Sequence, residues 1–243
     1  MGLTTYSVVR AATAPLVKVL GKSPVVSGLS NIPDGPVVLA CNHLAVIDPF
    51  FLSVYMPSRL VFAAKAQYFT GVGVKAQFVR RFMAATGQVP LDRDDPDAAM
   101  ETLERLAEMA RSGKTIALFP EGYSSPDGRL FRGKTGPARV ARMAEVPLVP
   151  VALSGTNLVN PPGKPGTHLR RSSVRIDVGK PIDASGDDLR ETTDRVMAAI
   201  QTMSGQTPAP FYASVIKEPH KHPELARRAD QDTRTRTEEG SAS

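Results

Sequence analysis

Val38-Leu-Ala-Cys-Asn-His-Leu-Ala-Val-Ile-Asp-Pro-Phe50 is an apolar run that ends in Asn42 and His43, with Asp48 five residues beyond the histidine and a proline directly behind the aspartate. The run reads as a short buried strand over Val37–Cys41. His43 then falls at the carboxyl end of that strand, the edge on which open α/β sheets build their sites. If the chain loops after Asn42 and enters a helix over Pro49–Met56, the Asp48 carboxylate can fold back toward His43 Nδ1 and leave Nε2 facing outward. A histidine oriented in this way takes a proton near neutral pH. No serine stands beside the pair, so it is two-thirds of a triad, completed most simply by a substrate hydroxyl in the serine's place. On its own the spacing fits a structural hydrogen bond equally well; the weight comes from stretches further along.

Strand and helix signals alternate outward from this point. Arg59–Ala64 reads as a second strand with Lys65 at its exit, placed for an anion. A helix over Val74–Ala85 follows. Gly87-Gln-Val-Pro-Leu-Asp-Arg93 reads as a short strand that delivers Arg93 to the same edge, where a planar guanidinium suits a phosphate bidentately. Asp95-Pro96 starts and Gly113 stops a helix over Asp95–Ser112. Thr115–Phe119 is an apolar strand closed by Pro120-Glu121-Gly122, which positions a carboxylate able to accept from substrate hydroxyls. A loop over Tyr123–Leu130, turning at Asp127-Gly128, leads to Gly133-Lys-Thr-Gly136 and a helix through Ala144; Lys134 and the N–H groups at that helix start would form an anion site. The earlier glycine of a P-loop is missing, so nucleotide hydrolysis is not supported. Val146–Leu153 is a further strand, buried on both faces by its unbroken apolar character. After the Gly-, Pro- and Arg-rich loop Ser154–Ser172, whose His168 reads as a surface residue, Val174–Val178 alternates like an edge strand. Asp188–Met203 is an amphipathic helix.

The 243 residues suit one core. A single cysteine, Cys41, excludes a disulfide framework and reads as packing within the strand. The chain shows no cluster with metal-ligand spacing, no secretory leader and no apolar run long enough to span a bilayer. The net charge of +6 is unevenly placed: from Lys217 to Ser243 six basic residues face six acidic ones, so the excess lies in the body. No acid precedes Asp34, none lies between Asp48 and Asp92, and Arg129, Arg132, Lys134, Arg139 and Arg142 read as an unopposed run. Such segregation implies an anionic partner. Without tryptophan or interleaved aromatic-basic motifs, nucleic acid is the least suitable one. Residues 3–20 place Leu3, Tyr6, Val9, Leu16, Val17 and Leu20 on one side of a helix that Pro15 would kink. With only basic charges, this helix suits either an anionic interface or simple docking on the domain. The organisation read from this is an N-terminal segment over 1–30, a domain over 31–216 and a polar, unstructured tail over 217–243.

Four stretches in this order resemble the glycerolipid acyltransferase family, which includes the 1-acyl-glycerol-3-phosphate acyltransferases. Asn42-His43-x4-Asp48 is similar to its Asn-His-x4-Asp block, Gly87–Arg93 to its Gly…Arg block, Phe119-Pro-Glu-Gly122 to its Phe-Pro-Glu-Gly block, and Val146-Pro-Leu-Val-Pro150 to its proline-containing strand. The resemblance implies an α/β fold with a mixed, largely parallel central sheet flanked by helices, often with an N-terminal membrane-docking element. It implies His43 as base, Asp48 as its orienter, and Asn42, Lys65, Arg93, Glu121, Gly122 and Lys134 as substrate-binding residues, with Arg93 on the acceptor phosphate. It further implies an acyl thioester donor, acyl-CoA or acyl carrier protein, a phosphorylated lysolipid acceptor, no cofactor, and a peripheral place on the cytoplasmic face of the membrane. One departure stands out: many acylglycerol-phosphate enzymes read Glu-Gly-Thr-Arg-Ser where this chain has Glu121-Gly122-Tyr123-Ser124-Ser125.

Overall fold

A computed structural model describes residues 2–65, 77, 88–92, 95–162, 168–186 and 188–231. Seven strands form one sheet: β1 (Val25–Ser27), β2 (Val38–Cys41), β3 (Leu60–Lys65), β4 (Val89–Leu91), β5 (Thr115–Leu118), β6 (Leu148–Ser154) and β7 (Arg175–Val178), in the order β1-β7-β6-β2-β5-β3-β4. From β6 to β4 all neighbours are parallel, while β7 runs antiparallel to β6 and carries β1 parallel beside it. The mixed, largely parallel sheet expected from the sequence is therefore present.

Strand β2 lies inside the sheet because it is apolar on both faces. Val38 and Ala40 join one core layer with Ile116, Leu118 and Leu148, whereas Leu39 and Cys41 join the other with Phe51, Leu52 and Val151. The first layer is closed by α3 (Pro96–Arg111), α4 (Gly136–Ala144) and α6 (Leu189–Ser204), and the second by α1 (Gly2–Leu20) and α2 (Asp48–Tyr55). Asp95 and Asp188 cap α3 and α6, each accepting two backbone N–H bonds from the first turn. Two short helices, α5 (Thr156–Val159) and α7 (Ala213–Lys217), complete the named set.

Several details differ from the sequence reading. The strand at Val174–Val178 is not an edge, because β1 pairs outside it and the Ser27 hydroxyl donates to the buried Asp177. Helix α1 continues through Pro15, whose missing N–H leaves the Ala11 carbonyl on the exposed side, where solvent can satisfy it. Its buried stripe is also narrower than expected. Tyr6, Val17 and Leu20 are buried, but Leu16 points outward with Val8 and Val19, because neighbouring residues on a helix stand about 100° apart and a single contact with α2 cannot cover both Leu16 and Val17. The segment read as an unstructured tail is helical at Pro219–Lys221 and again at 223–231, where Ala229 is buried. The helix expected over Val74–Ala85 lies outside the described residues, apart from Gln77, which is helical.

The turn after β6 depends on Gly155, at φ +82°, where an added Cβ would lie 2.1 Å from the Ser173 carbonyl oxygen. Both the left-handed backbone and the contact oppose any side chain. Gly155→Ala is expected to cost roughly 2–3 kcal/mol and lower the thermal midpoint by about 5–10 °C. An unchanged midpoint in a calorimetric scan would show that this turn tolerates the rearrangement.

Candidate active site

The carboxyl ends of β2, β5 and β6 converge at His43. The chain leaves β2, makes a tight turn over 43–47 and enters α2, whose first residue is Asp48. Its fully buried carboxylate folds back as the spacing suggested: Oδ2 accepts from Leu44 N at 2.7 Å and Ala45 N at 2.8 Å and lies 2.8 Å from His43 Nδ1. Three donors on one oxygen fix the imidazole with Nδ1–H toward Asp48, leaving Nε2 as the atom for a substrate. Oδ1 is buried with no partner. The ring keeps 16% exposure, and Phe119 stacks on it with centroids 4.1 Å apart and planes 19° from parallel. Phe62 continues the stack behind Phe119, at 6.1 Å.

Glu121 has a different place from the one expected. It is completely buried, and its two oxygens accept from the backbone N–H groups of His43 and Phe131, each at 2.8 Å. Through these two bonds it ties the end of β2 to the segment after the 123–130 loop. Asn42 also holds the chain. Its amide exchanges two bonds with the Leu153 backbone, donating from Nδ2 at 2.9 Å and accepting at Oδ1 at 2.6 Å, which extends the β2–β6 ladder by one rung. Gly122, at φ +78°, sits with the Lys134 side chain beside it, 4.0 Å from Nζ to where a Cβ would stand. Lys134 is exposed, but its own N–H donates to Pro120 O at 2.8 Å, so the anion cradle read at the start of α4 lacks that donor. Lys65 ends β3 opposite Leu91, on the same sheet edge; its side chain, and Arg93 entirely, lie outside the described residues.

Three further residues complete the surroundings. Gln206, just after α6, accepts from Asn42 Nδ2 at 2.6 Å and donates from Nε2 to Gly128 O at 2.8 Å, joining the ladder rung to the loop. Ser125 N donates to the His43 carbonyl at 2.7 Å, and its hydroxyl accepts from Gly128 N. Arg129 is not unopposed: it is buried, pairs with Asp127 Oδ2 at 2.8 Å and lies over the rings of Phe131 and Phe211. Nothing in local spacing marks Gln206, because its contact is made across 164 residues. Cys41 is fully buried, and burial, with the Asp48 charge adding to it, pushes its thiol far above the ordinary range, so it packs rather than attacks.

Burial raises the Glu121 carboxyl to about 8, outweighing the two amide hydrogen bonds that pull it down; the charges of Asp48 and Asp127 add to the rise. The sign of the linkage follows. The folded protein holds a proton that the unfolded chain releases near pH ~4.3, so this stabilisation is complete below that pH and is lost as pH rises through about 8. Glu121→Gln cannot titrate, and its amide turns a donor toward one of the two N–H groups. It is expected to be less stable than the wild type at acid pH but to lack the component, on the order of a few kcal/mol, that declines between pH 5 and 8, so that the deficit shrinks as pH rises. Parallel stability–pH curves for the two proteins, from urea unfolding, would contradict this account.

Comparison with known proteins agrees with the geometry. A family model described as Acyltransferase matches residues 23–154. A chloroplastic 1-acyl-sn-glycerol-3-phosphate acyltransferase of Brassica napus is 36% identical over 166 residues, 68% of this chain and 46% of the relative, and one of Arabidopsis thaliana is 35% identical over the same length, 68% of this chain and 45% of the relative. The chain thus spans about half the length of these curated relatives. The crystal structure of a 1-acyl-sn-glycerophosphate acyltransferase, PlsC, from Thermotoga maritima shares the fold with a TM-score of 0.62 at 24% identity, over 80% of this chain and 79% of that one. With the family model covering more than half of its length and the His43–Asp48 pair at the carboxyl edge of a largely parallel sheet, the chain belongs to the acyltransferase family.

Proposed function

We propose that this chain transfers a fatty acyl group from a thioester, acyl-CoA or acyl carrier protein, to the free hydroxyl of 1-acyl-glycerol 3-phosphate, forming phosphatidic acid. The observation that carries the reading is the His43 imidazole, fixed through Nδ1 by a buried carboxylate, while among the described residues no serine hydroxyl is hydrogen-bonded to its Nε2 and the Cys41 thiol is held neutral by burial. A hydroxyl must therefore come from the substrate. The relatives named as 1-acyl-sn-glycerol-3-phosphate acyltransferases supply the acceptor class.

In this reaction Nε2 takes the hydroxyl proton as the oxygen attacks the thioester carbonyl, and Asp48 stabilises the imidazolium so formed. The tetrahedral intermediate collapses by breaking the C–S bond, and the imidazolium returns the proton to the leaving sulfur. A thioester is already activated, so the chemistry calls for no metal or organic cofactor. Phe119 holds the ring plane, and Glu121, Asn42 and Gln206 hold the backbone that carries it; these are positioning residues. Lys134, on the rim beside Gly122, is the cation we assign to the acceptor phosphate or the donor, with Lys65 and Arg93 as further candidates on the same edge.

The lipid substrates place the work at a membrane surface. No helix among the described residues is long and apolar enough to cross a bilayer. The basic, outward-apolar α1 suits peripheral attachment to an anionic leaflet, and we assign the cytoplasmic face.

Thiol release from palmitoyl-CoA, measured with and without lysophosphatidic acid, tests the reaction. Release by the wild type is expected to depend on the acceptor, to fall about 10³–10⁴-fold in Asp48→Asn, and to fall at least as far in His43→Ala with both variants folded. Equal release without acceptor would make the protein a thioesterase instead.

A further inference from the structure

At the far end of α2 from Asp48, an open groove of about 620 Å³ runs between α1 and the chain leading into β3. Among the described residues its polar lining is Tyr6, Ser7, Arg10, Lys18, Tyr55 and Arg59: three cations and no carboxylate. The cations are partly set in place. Arg10 donates from Nη2 to the Val54 carbonyl at 2.9 Å, and the Arg59 guanidinium lies over the Tyr6 ring, 5.2 Å from its centroid, with its Nε enclosed and without a hydrogen-bond partner. Sequence supplies no local counter-charge either, because the first acidic residue is Asp34 and none follows between Asp48 and Asp92.

The register of α1 says what kind of anion the groove meets. Tyr6, Val17 and Leu20 face the core, while Val8, Leu16 and Val19 are more than half exposed on the opposite side. Ser7, Ala11, Ala14 and Lys18, which line the groove, form the stripe between those two faces. A helix lying on a bilayer with Val8, Leu16 and Val19 in the acyl boundary holds such a side stripe at headgroup depth. Charge and apolar surface on one helix therefore call for one occupant, a lipid that is anionic at the head.

We propose that this groove binds the phosphate headgroup of an anionic membrane lipid, at a site separate from the reaction centre. The inference rests on the membrane-surface part of the proposed function and is independent of the acyl-transfer chemistry.

The test is co-sedimentation of the full chain with phosphatidylcholine vesicles and with mixed phosphatidylcholine–phosphatidylglycerol vesicles, in low and high salt. The wild type is expected to prefer the anionic vesicles, to lose the preference in high salt, and to be displaced by inorganic phosphate. Neutralising Arg10, Lys18 and Arg59 together with glutamine should weaken anionic binding about 100-fold, roughly fivefold for each charge, while weak attachment to neutral vesicles persists. Lys18→Glu is the fold-safe companion, since Lys18 is exposed; it should weaken anionic binding more than fivefold with an unchanged thermal midpoint. Undiminished anionic binding by Lys18→Glu and the triple variant would overturn the groove assignment alone. A wild type that binds neither vesicle would overturn the membrane reading beneath it. Phosphate that saturates the fluorescence of Tyr6 and Tyr55 in a protein without anionic-vesicle preference would reassign the groove to free phosphate and overturn the headgroup.

Discussion

Two backbone N–H groups, those of His43 and Phe131, meet in one buried carboxylate, and the geometry around the histidine depends on that bond pair. The N–H at the end of β2 has no strand partner, and an orphaned buried donor costs on the order of 1–3 kcal/mol. Glu121 satisfies it from β5 and uses its other oxygen on the segment that returns after the loop. The same residue thus sets the height of His43 above the sheet and closes the loop behind it. Burying an acid here is costly, because desolvation disfavours its charged form and raises its pKa. The cost is borne because one rigid side chain bridges three segments that the sheet ladder cannot reach.

Asn42 and Asp48 repeat this logic at the residues on either side. Asn42 imitates one more rung between β2 and β6, so the strand is held to its last residue, while Asp48 gathers Leu44 N, Ala45 N and the imidazole on a single oxygen. In the tight turn over 43–47 the ring is consequently tied through its main chain to Glu121 and through its side chain to Asp48. A histidine tied at both points loses little orientational freedom when a substrate arrives, which is the entropic part of catalysis.

What could be read in the sequence was what local pattern encodes. Apolar runs located six of the seven strands, Asp-Pro and Gly punctuation placed α3, and the four-residue gap before Asp48 already allowed the carboxylate to turn back. β1 escaped notice because three residues between Pro24 and Gly28 carry no periodicity. The backbone contacts of Glu121 and Asn42 are hidden in the sequence for a related reason. A polar residue just past a buried strand looks available to a ligand, and only the tertiary structure shows that unpaired backbone amides claim it first. Gln206 and the Phe119 stack on His43 were out of reach altogether, since each joins elements distant in sequence.

The departure in the Glu121-Gly122-Tyr123-Ser124-Ser125 stretch acquires a structural meaning in this setting. Ser125, shared with the family pattern, is the residue that holds the loop to His43 through its own N–H and organises the turn through its hydroxyl. Tyr123 packs against the Phe131 cluster, which includes Phe211 and Ala213. Ser124 stands where the Glu-Gly-Thr-Arg-Ser pattern has arginine, and the nearby Arg129 is no replacement, being buried, paired with Asp127 and laid over two aromatic rings. The residues that hold His43 therefore match the family pattern, while the rim beside them lacks the arginine of that pattern. Under the proposed function, charge for the acceptor phosphate comes from Lys134 or from the β3–β4 side of the same edge, a different electrostatic balance from that of the Glu-Gly-Thr-Arg-Ser pattern.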